Sequence, residues 1–162
     1  MAEGGNAVDA AIATAVCIGA VNPQSAGIGG GFLMTLYDPV KRVARCLDAR
    51  EVAPIAATED MFKGNATISQ RGAYTTLSLQ VISTKTRERI NNTLLIIGGL
   101  AVAVPGELAG YWAAHQEYGQ LPWARLLLPT AELVDKGIPV NTHLANSLQV
   151  EKKWVLAEPS MR

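Results

Sequence analysis

The stretch from Ala7 to Gly19 constrains this chain most, because nearly every residue in it is apolar and Asp9 is its single charge. Its alanines favour helix. Asn6 is placed to cap the helix N-terminus, and Asp9 lies in the first turn, where an acid suits the helix dipole. A helix apolar on all sides is normally buried between layers of a fold. Gly19 weakens its end and Asn22-Pro23 stops it. The run contains Asp9 and is shorter than the roughly 20 residues a bilayer span needs. No basic residue precedes Lys41, so the run reads as neither a signal peptide nor a membrane helix, and no targeting signal is expected.

A helix of this kind needs a layer to cover it, and the next segments can supply one. A loop, Gln24-Ser25-Ala26-Gly27-Ile28-Gly29-Gly30-Gly31, leads into Phe32–Tyr37, which reads as a strand. Asp38-Pro39 turns the chain, and Arg42–Asp48 alternates polar and apolar residues as a second, paired strand. The last third reads as short helices. Pro105-Gly106 precedes one over Glu107–Tyr118, with Gly119 placed as its C-cap. Leu121-Pro122-Trp123 opens another, with proline at its first turn. Pro129 is expected to start a further helix through Lys136, ended by Gly137, and Asn141 to cap a final one carrying Leu144, Leu148 and Trp154. The fold class is therefore mixed α/β.

Composition narrows the function. The chain has 162 residues, with 14 Lys+Arg against 14 Asp+Glu, and this balance gives no basic field for nucleic acid. Two Cys and two widely spaced His do not make a zinc site, so no metal or cofactor is expected. The balanced charge is a sum of unlike parts. Residues 71–97 hold Arg71, Lys85, Arg87 and Arg89 against Glu88, a net of +3, which leaves the remainder at −3.

Four candidate features remain. The glycine loop invites a phosphate-binding reading, but such sites run strand, loop, helix, so that phosphate meets a helix N-terminus. Here the helix comes first, and Gly27 to Gly31 are better explained by close backbone packing or by turns with positive φ. Arg50 follows the second strand in Asp48-Ala49-Arg50-Glu51-Val52-Ala53-Pro54. Spacing alone favours a surface ion pair with Asp48 or Glu51, contributing about 0–1 kcal/mol. The alternative is a planar two-pronged donor for a ligand carboxylate. His115, beside Trp112 and Trp123, and His143, in the first turn of the last helix, read as structural. Cys17 reads as a small buried hydrophobe. Nothing in the spacing supplies a nucleophile.

At these residues the chain resembles the γ-glutamyltransferases, or glutathione hydrolases. Gly4-Gly5-Asn6-Ala7-Val8-Asp9-Ala10-Ala11-Ile12-Ala13 resembles the family's opening motif, and Pro23–Phe32 resembles its glycine-rich loop. Arg50-Glu51-Val52-Ala53-Pro54 is similar to its Arg-Glu-x-Ala-Pro motif. Ala103-Val104-Pro105-Gly106-Glu107 and Gly119-Gln120-Leu121-Pro122-Trp123-Ala124-Arg125-Leu126 are similar to two later motifs. Five motifs in the family's order are highly specific.

The resemblance implies an N-terminal nucleophile hydrolase, an αββα sandwich built from a large and a small subunit cut from one precursor. This chain would be a partial large-subunit segment. Such enzymes transfer a γ-glutamyl group from glutathione to water, an amino acid or a dipeptide. The nucleophile is the N-terminal Thr of the small subunit, with its own α-amine as base. Carried over by motif, Arg50 would bind the α-carboxylate of the donor, and Glu51 would support it. The resemblance implies no cofactor, and partners in glutathione, other γ-glutamyl compounds and the small subunit. It also implies a cell-surface or extracellular location. The nucleophilic Thr lies beyond the matched region, so no catalytic residue is expected here and the chain alone is expected to be inactive. A noncatalytic short form that binds glutathione or protein partners is the alternative. The hairpin at 32–48 would lack neighbouring strands. Cys17 resembles a position that pairs in animal members with an upstream Cys, and it would be left free or forced towards Cys46. Residues 71–97 look additional to the family pattern and read as an insertion. Asn65-Ala66-Thr67 and Asn91-Asn92-Thr93 fit the glycosylation pattern, which makes Asn65 and Asn91 candidate glycan sites.

Overall fold

A computed structural model describes residues 2–61 and 103–157. The expected insertion at 71–97 and the candidate glycan sites Asn65 and Asn91 lie outside the described residues. The chain divides into two compact units, one of Met1–Val21, Ala26–Ala53 and Val104–Ile138, the other of Asn22–Ser25, Pro54–Ala103 and Pro139–Arg162.

The first unit opens with α1, Ala7–Val21. Asn6 caps it as expected, its Oδ1 accepting from the N–H groups of Val8 at 2.9 Å and Asp9 at 3.1 Å. Asp9 answers by accepting from the Asn6 N–H at 3.0 Å, so the two side chains satisfy each other's backbone. The helix runs on past Gly19 and stops before Asn22-Pro23. Its burial departs from expectation. Among the described residues of the helix only Val8, Asp9 and Ile12 are buried, while Ala11, Thr14 and Ile18 are exposed, so one face is covered and not all of them. The covered face meets the later helices of the unit.

The hairpin consists of β1, Phe32–Asp38, and β2, Val43–Ala49, antiparallel with Phe32 opposite Ala49 and Asp38 opposite Val43. Asp38 shapes the turn by accepting from the N–H groups of Val40 and Lys41 at 2.9 and 3.0 Å, and Arg42 takes φ 53° to close it. Phe32, Met34, Leu36 and Leu47 share the face that packs on the core. Leu33 and Tyr37 lie on the other face and are exposed. Among the described residues this sheet has two strands. Beyond it, Val52 and Val104 form an isolated antiparallel bridge.

Two helices complete the unit: α2, Glu107–Tyr118, and α3, Trp123–Lys136. Helix α3 corrects the expectation of two helices split at Pro129. Pro129 lies inside a continuous helix whose buried residues, Leu126 and Thr130, stand one turn apart on either side of it. A face anchored on both sides of the proline holds the axis together although one N–H is lost, that which would bond the Arg125 carbonyl. Pro129→Ala is therefore expected to stabilise the protein by about 1–3 kcal/mol, less the entropy it returns to the unfolded chain. Chemical unfolding of the two proteins checks this, and an unchanged or lower midpoint contradicts it. Gly137 ends α3 with φ 86°. Gly119 ends α2 in an extended conformation instead, at a position where a Cβ would run into His115.

The core gathers Val8, Ile12, Tyr111, Ala114 and Leu126, with Phe32 stacked on Tyr111 at 4.7 Å between centroids. Two polar ties fasten α1 to the turn between α2 and α3. The Asn6 side-chain amide donates to the Tyr118 carbonyl at 2.5 Å. The Asp9 carboxylate, 1% exposed, accepts from Gln120 N–H at 3.1 Å and Leu121 N–H at 3.4 Å. His115 braces the same turn, Nε2 lying 2.7 Å from the Leu121 carbonyl. Facing a carbonyl, Nε2 carries the proton. The imidazole sits between Trp112 and Trp123, at 5.9 and 5.2 Å, which is the structural role expected of it.

In the second unit, α4 spans Thr142–Ala157 and is capped by Asn141, whose Oδ1 accepts from Leu144 N–H at 2.8 Å. His143 lies in its first turn, as expected. Among the described residues no helix is long and apolar enough to cross a membrane.

Candidate functional site

Arg50 is the first residue after β2, so the hairpin register fixes where it leaves the sheet. Its N–H donates to Asp48 Oδ1 at 3.0 Å, and the guanidinium Nη2 donates to Glu51 Oε1 at 2.5 Å. The Arg50 side chain is 56% exposed and that of Glu51 is 28% exposed. This is the ion pair that spacing favoured. A half-exposed pair of adjacent residues contributes little stability, about 0–1 kcal/mol. The pair occupies one prong of the guanidinium and leaves the group open to a carboxylate in solution.

The backbone around Arg50 is held far more tightly than its side chain. Gly31, at the end of the glycine loop, approaches so closely that a Cβ there would lie 2.5 Å from the Ala49 carbonyl oxygen and 2.8 Å from Arg50 Cα. Gly106 packs on the same backbone, where a Cβ would lie 2.5 Å from the same oxygen and 2.7 Å from that of Arg50. Gly30 ties the two segments together, its carbonyl accepting from Gly106 N–H at 3.0 Å and Glu107 N–H at 3.1 Å. The glycine loop thus presents a carbonyl to the N-terminus of α2, the reverse of a phosphate cradle. Of the two uses expected for its glycines, close packing holds. Positive φ does not, since the described glycines with φ in that region are Gly4 and Gly137.

Beside the loop, Glu107 accepts the hydroxyl hydrogen of Tyr111. Burial, reinforced by that bond and by the carboxylate's charge, raises the Tyr111 pKa, so the phenol stays a proton donor at any physiological pH. Elsewhere on the unit, Arg45 of β2 pairs with Glu117 of α2 and donates to the Tyr118 hydroxyl at 3.0 Å. That pair rims a half-open cavity of about 410 Å³ between the hairpin and α2, lined by Met34, Leu36, Leu47 and Ala113 among others. Arg50 is not part of its lining. Cys17 on α1 is partly buried and Cys46 on β2 is exposed, both as free thiols.

Arg50 and Glu51 stand out in the sequence, and so does close packing of the glycine loop, but not that Gly31 and Gly106 both pack on the backbone around Arg50. Nor does the reach of Asp9 across to residues 120 and 121, because each depends on segments far apart in the chain.

Comparison with known proteins places these features. The family described as Gamma-glutamyltranspeptidase matches residues 1–162. The chain is 41% identical over 158 residues to Scoloptoxin SSD14 of Scolopendra dehaani, covering 98% of this chain and 23% of that protein. It is 44% identical over 146 residues to Glutathione hydrolase proenzyme 1 of Schizosaccharomyces pombe, covering 90% of this chain and 19% of that protein. Among solved structures it superposes on Helicobacter pylori gamma-Glutamyltranspeptidase with a TM-score of 0.74 and 29% identity, covering 99% of this chain and 40% of that one. The chain therefore spans about a fifth of the length of these two curated relatives. Its mixed helix and sheet are a partial segment of an N-terminal nucleophile hydrolase fold, as the motifs implied. A profile matching every residue, with motifs that converge on the backbone around Arg50, leaves one assignment: the chain belongs to the γ-glutamyltranspeptidase family.

Proposed function

We propose that this chain is part of the large subunit of an enzyme that transfers γ-glutamyl groups from glutathione to water, amino acids or dipeptides. Arg50 carries this reading. It stands at the end of β2 in a family motif, with its backbone fixed and its guanidinium half-exposed. A guanidinium so placed grips the α-carboxylate of a glutamyl donor through paired, charge-assisted hydrogen bonds. Glu51 holds one Nη2 hydrogen until the ligand arrives. The other reacting groups belong to the small subunit cut from the same precursor. There a Thr hydroxyl attacks the γ-carbonyl while its own α-amine takes the proton and passes it to the departing amine as the γ-amide C–N bond breaks; water or an amine acceptor then opens the resulting ester and restores the hydroxyl. This role requires no metal or cofactor. A cell-surface or extracellular location belongs to the same proposal, and fractionation of cells expressing the protein tests it.

The activity has a direct assay. The full-length protein containing this segment is expected to release the amine from a γ-glutamyl anilide, and faster when a dipeptide acceptor is added. The 162-residue polypeptide alone is expected to release none. Absence of release by the full-length protein, or release by the isolated polypeptide, contradicts the proposal.

A further inference from the structure

We propose that Gly31 and Gly106 are positioning residues for substrate binding: they fix the direction in which Arg50 projects by letting two loops pack directly against its backbone. This rests on the reading of Arg50 as the carboxylate-binding group.

The geometry leaves no room for a side chain at either glycine. A methyl group at Gly31 would meet the Ala49 oxygen at 2.5 Å, Glu51 N at 2.7 Å and Arg50 Cα at 2.8 Å. One at Gly106 would meet the Ala49 and Arg50 oxygens at 2.5 and 2.7 Å. All of these are backbone atoms, so relief requires a backbone shift, either of 49–51 or of the glycine's own loop away from it, where a flexible side chain could have swung aside. The packing is also braced. Gly30 accepts from Gly106 N–H and Glu107 N–H, and Val52, two residues past Arg50, exchanges backbone hydrogen bonds with Val104 at 2.9 and 3.1 Å. The arginine side chain itself is half-exposed and, beyond its neighbour Glu51, gains little guidance from packing. Its aim is therefore set at the backbone, by two glycines 75 positions apart in sequence. Bidentate recognition of a carboxylate tolerates little error in direction, and a misplacement of about 1 Å can cost roughly a hundredfold.

The test uses the full-length enzyme and two donors, a γ-glutamyl anilide and the 4-aminobutyryl anilide that lacks the α-carboxylate. Gly31→Ala and Gly106→Ala are each expected to raise KM for the γ-glutamyl donor roughly ten- to hundredfold with a smaller change in kcat. Turnover of the carboxylate-free donor is expected to stay near wild type. In an Arg50→Ala background the same changes are expected to add little, because the group they aim is gone. Should the alanine variants fail to fold, Val104→Pro removes the N–H donated to Val52 without adding bulk at either glycine, and the same KM signature is expected. Equal loss on both donors, or full additivity with Arg50→Ala, overturns the positioning role while leaving Arg50 as the binding group. An Arg50→Ala variant with an unchanged KM overturns the underlying reading itself.

Discussion

Asp9→Ala is expected to destabilise the fold by roughly 3 kcal/mol or more, because each donor left without an acceptor in a buried setting costs about 1–3 kcal/mol. The carboxylate is 1% exposed and accepts from the N–H groups of Asn6, Gln120 and Leu121. Its loss leaves the Asn6 N–H without an acceptor and releases the turn between α2 and α3 in one step, while the Asn6 side chain still caps α1. Asp9→Asn is expected to be intermediate: one oxygen remains where Oδ2 sits, but an amide NH2 then confronts the Gln120 N–H, which now faces Oδ1 at 3.2 Å. The effect carries a pH signature. Burial works to raise the Asp9 pKa, but the N–H donors of Asn6, Gln120 and Leu121, with a smaller contribution from His115, outweigh it and hold the group below 3.8. A carboxyl depressed in the folded state stabilises fully above its unfolded pKa and loses that contribution as pH falls through the folded value. The wild type is therefore expected to lose stability in the acid range below pH 3.8, and Asp9→Asn to lose less there. Chemical unfolding at neutral and acid pH measures both, and a variant as stable as wild type at neutral pH contradicts the role given to Asp9.

Arg50→Ala is expected to lower kcat/KM for a γ-glutamyl donor roughly 10²- to 10⁴-fold, the value of two charge-assisted hydrogen bonds. The loss is expected mainly in KM, since the α-carboxylate is gripped alike in the ground and transition states. Arg50→Lys is expected to recover only part of it, because an ammonium lacks the planar fork. Stability is expected to change little in either variant, since the pair with Glu51 is half-exposed. Equal recovery by lysine would show that charge alone suffices.

How much of this fold is legible in the sequence depends on how local each cause is. The helix from Ala7, its Asn6 cap and the hairpin are legible because capping residues, alternation and Asp38-Pro39 act within a few positions of one another. Pro129 misleads because a local rule, proline as helix opener, yields to packing of Leu126 and Thr130 on either side of it. The expectation of burial on all sides of α1 fails because the described residues cover only the Val8, Asp9 and Ile12 face. Arg50 is a separate case. Its spacing pointed to an ion pair, which the structure contains, and only motif resemblance pointed to a ligand. Close backbone packing at Gly31 is legible in sequence, but not that its partner is the backbone around Arg50 or that Gly106 shares it, because nothing local marks which distant backbone a glycine faces.

Titration calorimetry tests the central claim most directly, with L-glutamate and 4-aminobutyrate added separately to the full-length enzyme and to its Arg50→Ala variant. Binding heat is predicted for L-glutamate with the wild type alone, and none for the ligand without an α-carboxylate. Equal heats for L-glutamate in wild type and Arg50→Ala would contradict the account.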